Sequence, residues 1–201
     1  MISQRFRMAS SSRLPISAVV AITPEYGIGK NCTLPWKAAG VSLSEDMKYF
    51  KQMTTQTINK EKINAVLMGR RTYEGIPERF RPLKNRINIV LSRNLSYARQ
   101  LPDDVITTDS FVKALSLASE NDNIERVVVI GGASLFEESI LNPNCDCYHV
   151  THVGVDFPSD TSLTPPTISK LQRMTPVTVS DTFQENGINF SMAVYDPRQN
   201  P

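Results

Sequence analysis

Short, unbroken runs of apolar residues separated by helical segments constrain the fold of this chain more than any other feature. The runs ISAVVAI, INAVLM, INIVL and RVVVI lie within 15–23, 62–69, 86–94 and 126–132. Strands that are apolar on both faces fit a parallel sheet covered on both sides, because a strand with one wet face would alternate. We therefore predict an α/β fold with a mainly parallel sheet flanked by helices.

The C-terminal part of the chain has a different pattern. After a further predicted strand at 147–155, the β-rich stretches TPVTVSDTF and INFSMAVYD flank the residues 185–187. These residues include Asn-Gly, which is a preferred pair for a tight hairpin turn. The sheet is therefore expected to end in an antiparallel hairpin.

Composition narrows the class of protein. The net charge is +2 with 21% charged residues, which argues against a nucleic-acid partner bound through a broad basic surface. No apolar run approaches the roughly 18 residues that a membrane-spanning helix needs, so no membrane association is expected. The 3 cysteines, an odd number in a chain with a sizeable core, indicate a reducing compartment such as the cytoplasm.

The chain of 201 residues fits one domain. We place this domain at 15–197, between a flexible N-terminal extension (1–14) and a short C-terminal tail (198–201). The extension is rich in Arg and Ser and has no acids, a composition shared by mitochondrial transit segments and disordered tails. A cytoplasmic location is therefore predicted, with a mitochondrial one as the alternative.

One predicted helix, 44–54, carries an acid on its apolar face. With about 100° between successive residues, Asp46 falls within the apolar stripe. One interpretation is that Ser44 caps the helix and Asp46 is half in water near the positive helix end. The other is that Asp46 lines an apolar pocket, where it binds or protonates a ligand. The stripe consists of Leu43, Met47, Phe50 and Thr54.

Three predicted strands end in segments suited to bind phosphate. Ligands bind outside the carboxyl ends of the strands in such sheets, so these segments are expected to lie close together. Glycines let an anion approach backbone amides, and arginines pair with phosphate. G-x-G-x-x-G is absent, and the arginines suit a 2′-phosphate, which favours NADP over NAD. The segments contain Arg70, Arg71 and Thr72, then Ser92 and Arg93, and finally Gly131, Gly132, Ala133 and Ser134.

The ordered motifs resemble those of the dihydrofolate reductase family. They are AVVAITPEYGIGKNCTLPW, DMKYF, AVLMGRRTYEGIP, RPLKNRINIVLSRN, VVVIGGASLF and VTH followed by DT. The RPLK-x-RIN segment is similar to that of eukaryotic members. The resemblance implies an eight-stranded, mostly parallel sheet with about four helices, and reduction of 7,8-dihydrofolate to 5,6,7,8-tetrahydrofolate with NADPH. Hydride would pass to C6 and a proton to N5, supplying one-carbon metabolism and thymidylate synthesis.

The resemblance also implies a substrate site. Asp46 would hydrogen-bond the pterin ring and support protonation of N5, with Thr151 orienting it. Arg86 would hold the carboxylate of the substrate's glutamate tail. Trp36 and Leu34 would complete the catalytic group. The residues expected to bind substrate are Val19, Val20, Asp46, Met47, Phe50, Ile76, Leu83, Arg86, Ile130, Phe136 and Thr151.

On the cofactor side, the resemblance implies a loop that closes over the nicotinamide, a pocket for the 2′-phosphate and a turn that binds pyrophosphate. It also implies a cis bond between Gly131 and Gly132. The residues expected to bind NADPH are Ala21, Gly27, Ile28, Gly29, Lys30, Gly69, Arg70, Arg71, Thr72, Leu91, Ser92, Arg93, Gly131, Gly132, Ala133, Ser134, Leu135 and Phe136. Antifolate inhibitors would bind in place of substrate.

Three departures from the family pattern stand out. The chain has several additional residues between Trp36 and Asp46, directly before the predicted helix 44–54. Phe136 stands where many members have Tyr, and Tyr73 where Trp is common.

Alternatives remain open at this point. A pyrimidine reductase of riboflavin synthesis shares the implied fold and cofactor, and a regulatory domain could bind a nucleotide without turnover. The alternating residues Cys145, Cys147 and His149 are too widely spaced along one strand to hold zinc, so no metal is predicted. The chain is expected to be a monomer unless it is fused to another domain such as thymidylate synthase.

Overall fold

The structure is a computed structural model and describes residues 13–198. Most of the predicted N-terminal extension (1–14) lies outside the described residues. The segment on which the mitochondrial alternative depends is therefore not described. The same holds for 199–201 of the predicted tail.

A mostly parallel sheet forms the centre of the molecule. The strands are β1 (Ile16–Ile22), β2 (Gly27–Gly29), β3 (Ile63–Gly69), β4 (Ile87–Leu91), β5 (Val105–Thr108), β6 (Ile124–Val129), β7 (Cys145–Val153), β8 (Thr161–Ser162), β9 (Thr178–Val179), β10 (Phe183–Glu185) and β11 (Ile188–Tyr195). The spatial order is β10-β11-β7-β1-β6-β3-β4-β5, and the short β9 also pairs with β11. Strands β1 and β3 to β7 are parallel, whereas β9 and β10 pair antiparallel with β11, and β11 with β7. The predicted fold class is therefore confirmed.

Helices cover both faces of this sheet. They are α1 (Pro35–Ala38), α2 (Ser44–Thr55), α3 (Arg70–Gly75), α4 (Leu95–Ala98), α5 (Phe111–Ser119), α6 (Ala133–Ile140) and α7 (Pro165–Arg173). Successive residues of one strand point to opposite faces, and here both sets are buried. In β3, for example, Ala65 and Leu67 join one apolar cluster, whereas Val66 and Met68 join another. This double burial explains why the strand sequences are continuously apolar.

The C-terminal hairpin turns where the sequence predicts. Asn186 and Gly187 have φ of 52° and 76°, as a tight turn with two left-handed residues requires. Within 13–198, no helix has both the length and the apolar character to cross a membrane.

The segment 24–36, which follows β1, contains ordered elements that sequence pattern did not predict. It contains β2, which pairs with β8 in a separate two-stranded sheet, and Pro35 begins α1. The pairing partner is more than a hundred residues away in sequence, so local pattern does not contain this information. The helices α4 and α7 and the strand β8 are likewise absent from the predictions, and the predicted β-rich stretch TPVTVSDTF contains the short β9 and the start of β10.

Candidate active site

The three segments predicted to bind phosphate lie at one edge of the sheet. Strands β6, β3 and β4 are neighbours, and their carboxyl ends lead into Gly131, Arg70 and Ser92. The amide of Gly69 donates a 2.8 Å hydrogen bond to the carbonyl of Gly131, which ties two of these ends together. The peptide bond between Gly131 and Gly132 is cis, as predicted.

Helix α2 carries Asp46 against this same sheet. The helix packs on β1 and β3, and only 5% of Asp46 is exposed. Thr151 in β7, which is almost fully buried, hydrogen-bonds the Asp46 carboxylate. Asp46 is therefore held at the apolar face, as the second interpretation of the sequence predicts, and not half in water.

The environment of Asp46 favours its neutral form. Burial raises the pKa of Asp46 from 3.8 to about 6, because removing water penalises the carboxylate more than the acid. The hydrogen bond from Thr151 lowers this pKa in part, and the negative charge of Glu185 adds to the rise. An acid with such a pKa is able to hold or release a proton near neutral pH, which fits acid-base chemistry.

The start of α2 is not capped by Ser44, contrary to the first interpretation. Leu43 occupies the cap position and offers no side-chain hydrogen bond, so the first amides need another acceptor. Glu185, at the end of β10, supplies it: the amides of Ser44 and Glu45 donate to its carboxylate over 2.7 and 2.8 Å. Asn186 also donates a 2.7 Å hydrogen bond to the carbonyl of Ser42. The hairpin thus holds the beginning of the Asp46 helix.

The other end of α2 orients Arg86. Thr54, which is fully buried, accepts a 2.7 Å hydrogen bond from Nη1 of Arg86, while Nε of Arg86 donates to the carbonyl of Lys84 over 3.1 Å. Burial lowers the pKa of Arg86, but an arginine remains cationic at neutral pH. Arg86 lines a cleft of about 260 Å³, and further cations there are Arg79, Arg81 and Lys84.

Apolar side chains lie between these two charged positions. Along α2, Phe50 is half-buried, whereas Met47 is 46% exposed. Phe50 and Ile76 pack against a cluster that contains Val19 and Leu83. A partly open apolar face with a buried acid at one end and a cation at the other suits a flat ligand with a carboxylate tail.

The segment after β1 is fastened near this face. The amide of Asn31 donates to the carboxylate of Asp160 over 2.8 Å, and the amide of Asp160 donates to the carbonyl of Gly29 over 3.0 Å. At Gly75, an added Cβ would come within 1.7 Å of the carbonyl of Cys32, so this segment and α3 are in close contact. These contacts fix the predicted nicotinamide loop at both β8 and α3.

The carboxyl ends of β3, β4 and β6 form a surface suited to the phosphate groups of a dinucleotide. Arg71 and Arg93 are exposed, and the guanidinium of Arg70 lies 5.4 Å from the ring centre of Tyr97. Gly131 has φ of 121°, and an added Cβ would lie 3.3 Å from Oγ1 of Thr72. A turn without Cβ atoms beside several guanidiniums is chemically suited to bind anionic groups closely.

Comparison with known proteins identifies the family. The family model described as dihydrofolate reductase matches residues 15–196. The chain belongs to the dihydrofolate reductase family.

Individual relatives agree with this assignment. The chain is 35% identical to dihydrofolate reductase of Sus scrofa over 185 residues, covering 90% of this chain and 97% of that one. A solved structure of Schistosoma mansoni dihydrofolate reductase has 36% identity and a TM-score of 0.75, covering 92% of this chain and 99% of that one. Bifunctional dihydrofolate reductase-thymidylate synthase 2 of Arabidopsis thaliana is 37% identical over 94% of this chain. This chain spans 32% of that bifunctional protein's length.

The residues expected from the family differ in exposure. The buried ones are Val19, Val20, Gly27, Trp36, Asp46, Leu83, Gly131, Leu135, Phe136 and Thr151. The half-buried ones are Ala21, Ile28, Gly29, Lys30, Leu34, Phe50, Gly69, Arg70, Thr72, Ile76, Arg86, Leu91, Ser92, Ile130, Gly132 and Ala133. The exposed ones are Met47, Arg71, Arg93 and Ser134. Their individual roles remain predictions.

Two groups of residues that were expected to contact a ligand are instead buried inside the apolar core. Trp36 is 1% exposed, belongs to the cluster formed with β7 and β11, and has its ring centre 6.5 Å from that of Phe157. Leu135 and Phe136 belong to the cluster on the opposite face from α2, and their amides donate to the carbonyl of Gly132.

Sequence pattern missed three residues that shape the site. Glu185, Thr54 and Asp160 contact Ser44, Arg86 and Asn31, respectively. Thr54 had a signal in the sequence, because it places a hydroxyl group on the otherwise apolar stripe of the predicted helix. Glu185 and Asp160 had none, because their partners are 141 and 129 residues away.

Proposed function

We propose that this chain catalyses the NADPH-dependent reduction of 7,8-dihydrofolate to 5,6,7,8-tetrahydrofolate. The single observation that supports this most is the nearly complete burial of Asp46, with a pKa of about 6, at an apolar face. A core carboxylate costs stability, so its presence is best explained by a ligand that needs a proton or a negative partner there. The identity of the substrate in this proposal is inferred from the relatives named dihydrofolate reductase.

In this proposal, Asp46 acts at the pterin end of the substrate. Its carboxyl group binds the ring and supports protonation of N5, and Thr151 fixes the direction of the carboxylate oxygens. The apolar side chains around Asp46 exclude water, which keeps its pKa high and strengthens its hydrogen bonds. Leu34 remains part of the proposed catalytic group, and Trp36 is proposed to support the site from beneath through packing.

Arg86 would bind the other end of the substrate. Asp46 and Thr54 are eight residues apart on α2, which corresponds to about 12 Å along a helix. A ligand lying along this helix would therefore place a heterocycle at Asp46 and a carboxylate near the guanidinium held by Thr54. Fixing both ends positions the ring for reaction.

NADPH would be held at the edge formed by β3, β4 and β6. Arg70, Arg71 and Arg93 would bind its 2′-phosphate side, and Gly131 and its neighbours would accommodate the pyrophosphate. When bound, NADPH supplies the hydride that is transferred to C6. The segment fastened by Asp160 would cover the nicotinamide and keep water away.

The test is spectroscopic. Purified chain is mixed with NADPH and dihydrofolate, and the decrease in NADPH absorbance is followed against a reaction without dihydrofolate. We expect substrate-dependent decay, a lower efficiency with NADH, and inhibition by antifolates. Decay only with a pyrimidine substrate would instead support a pyrimidine reductase, and NADPH binding without any decay would support a regulatory domain.

Two further properties complete the proposal. Tetrahydrofolate would supply one-carbon metabolism and thymidylate synthesis, in the cytoplasm. The chain would act as a monomer unless joined to a second domain, and light scattering of the purified chain tests this.

A further inference from the structure

The start of α2 depends on a residue far away in sequence. The N-terminal amides of a helix need acceptors, and the side chain of Leu43 in the cap position has none to offer. The Glu185 carboxylate accepts from the amides of Ser44 and Glu45 and from the hydroxyl of Ser44. Asp46 is the next residue along the helix. The hairpin therefore fixes the same helical turn that carries the acid.

The position of Glu185 also matters electrostatically. Amides at a helix start carry partial positive charge, which would favour an ionised carboxylate in the first turn. Glu185 places a negative charge at this point and so opposes the effect on Asp46. Its own pKa is lowered, chiefly by the hydrogen bond from the Ser44 hydroxyl, so Glu185 stays ionised while Asp46 titrates.

We propose that Glu185 is a positioning residue for Asp46: it holds the first turn of α2 so that the acid is buried, and its charge opposes ionisation of the acid. The inference concerns the same proposed active site, and its consequence for catalysis rests on the proposed function. The structural part, a hairpin that caps the helix carrying Asp46, stands independently of any substrate.

The other ionisable groups near Asp46 are either paired with each other or neutral at the pH where Asp46 titrates. On α2 itself, the Glu45 side chain pairs with Lys48 in an exposed ion pair. On β7, His149 is held by Tyr49 and Cys147, and burial lowers the pKa of His149 to about 4, so it is neutral where Asp46 titrates. Among these groups, Glu185 is the one whose charge raises the pKa of Asp46.

The test separates charge from mechanical support. Glu185→Gln keeps the shape and one acceptor oxygen but removes the charge. Asn186→Gly keeps the turn conformation and every charge but removes the hydrogen bond to Ser42. Glu45→Gln is the matched control, since it removes an equal charge next to Asp46 without altering the carboxylate that caps the helix.

The main readout needs no ligand. The ¹³C signal of the Asp46 carboxyl is titrated in each folded variant, and hydrogen exchange is measured for the amides of Ser44 and Glu45. We expect Glu185→Gln to lower the titration midpoint of Asp46 and Glu45→Gln to leave it unchanged. Asn186→Gly should speed amide exchange while leaving the midpoint unchanged.

Activity gives a second readout. If protonated Asp46 is needed, Glu185→Gln should lower kcat on the alkaline side of the midpoint by about two- to fivefold, the range that a partly exposed charge pair supports. An unchanged Asp46 midpoint in Glu185→Gln, or an equal fall in Glu45→Gln or Asn186→Gly, would overturn the inference. Failure of the unaltered chain to reduce dihydrofolate would overturn the proposed function but not the titration result.

Discussion

At its N-terminal end, α2 holds a negative group away from water, whereas at its C-terminal end it orients a positive group that keeps partial contact with water. Asp46 is 5% exposed and its pKa is raised to about 6, so its protonation state is adjusted by the fold. Arg86 is half-buried, and its charge does not change at neutral pH; only its direction is fixed, by Thr54 and the carbonyl of Lys84. This difference fits the proposal that one end of the helix takes part in the chemistry and the other end positions the ligand.

The strongest test of this comparison is Asp46→Asn. The amide fills the same space but has no proton to supply, so kcat at neutral pH should fall by about 10²- to 10⁴-fold, the range for loss of a general acid. The Kd for NADPH, measured by fluorescence quenching, should stay within about twofold, because the residues proposed to bind the phosphates of the cofactor lie at the ends of β3, β4 and β6 and not on α2. A variant that keeps more than about a tenth of its activity would contradict the chemical role of this end.

The same substitution should have the opposite effect on stability. The pKa of Asp46 is 3.8 when unfolded and about 6 when folded, so its ionisation destabilises the fold progressively as pH rises from about 4 to 6. This difference corresponds to at most about 3 kcal/mol above pH 6. Asp46→Asn should therefore be more stable than the unaltered chain at pH 7 to 8, and the gain should vanish near pH 4. Urea unfolding at several pH values measures this, and a gain independent of pH would contradict it.

Arg86→Leu tests the other end. Loss of a charge-assisted pair with the substrate carboxylate should raise the KM for dihydrofolate by about 10- to 100-fold, with kcat changed by less than about threefold. The control is Arg79→Leu, which removes a more exposed cation from the same cleft and should change KM by less than about threefold. A similar loss in both variants would mean that the cleft acts through overall charge, and the distinction between the two ends would be lost.

Sequence alone predicted much of this arrangement and missed its tertiary supports. The parallel sheet, the hairpin turn at Asn186 and the cis bond after Gly131 follow from local pattern or family resemblance, and the structure confirms them. The cap provided by Glu185 did not follow, because Leu43 and Ser44 give no local sign that an acceptor comes from another part of the chain. The pairing of β2 with β8 was missed for the same reason, since a three-residue strand has little pattern of its own.

The smallest expected effect concerns Thr54→Val, which removes the hydroxyl that accepts from Arg86 but preserves side-chain shape. The guanidinium would keep its charge and its bond to Lys84 while losing one orienting contact, so the KM for dihydrofolate should rise by about three- to tenfold. Thr55→Val is a matched control, because Thr55 also bonds back to a helix carbonyl, that of Lys51, but does not contact Arg86. If the two variants raise KM equally, the effect arises from α2 as a whole. If only Thr54→Val does so, and kcat is unchanged, this end of the helix acts by orienting a charge and takes no part in proton transfer.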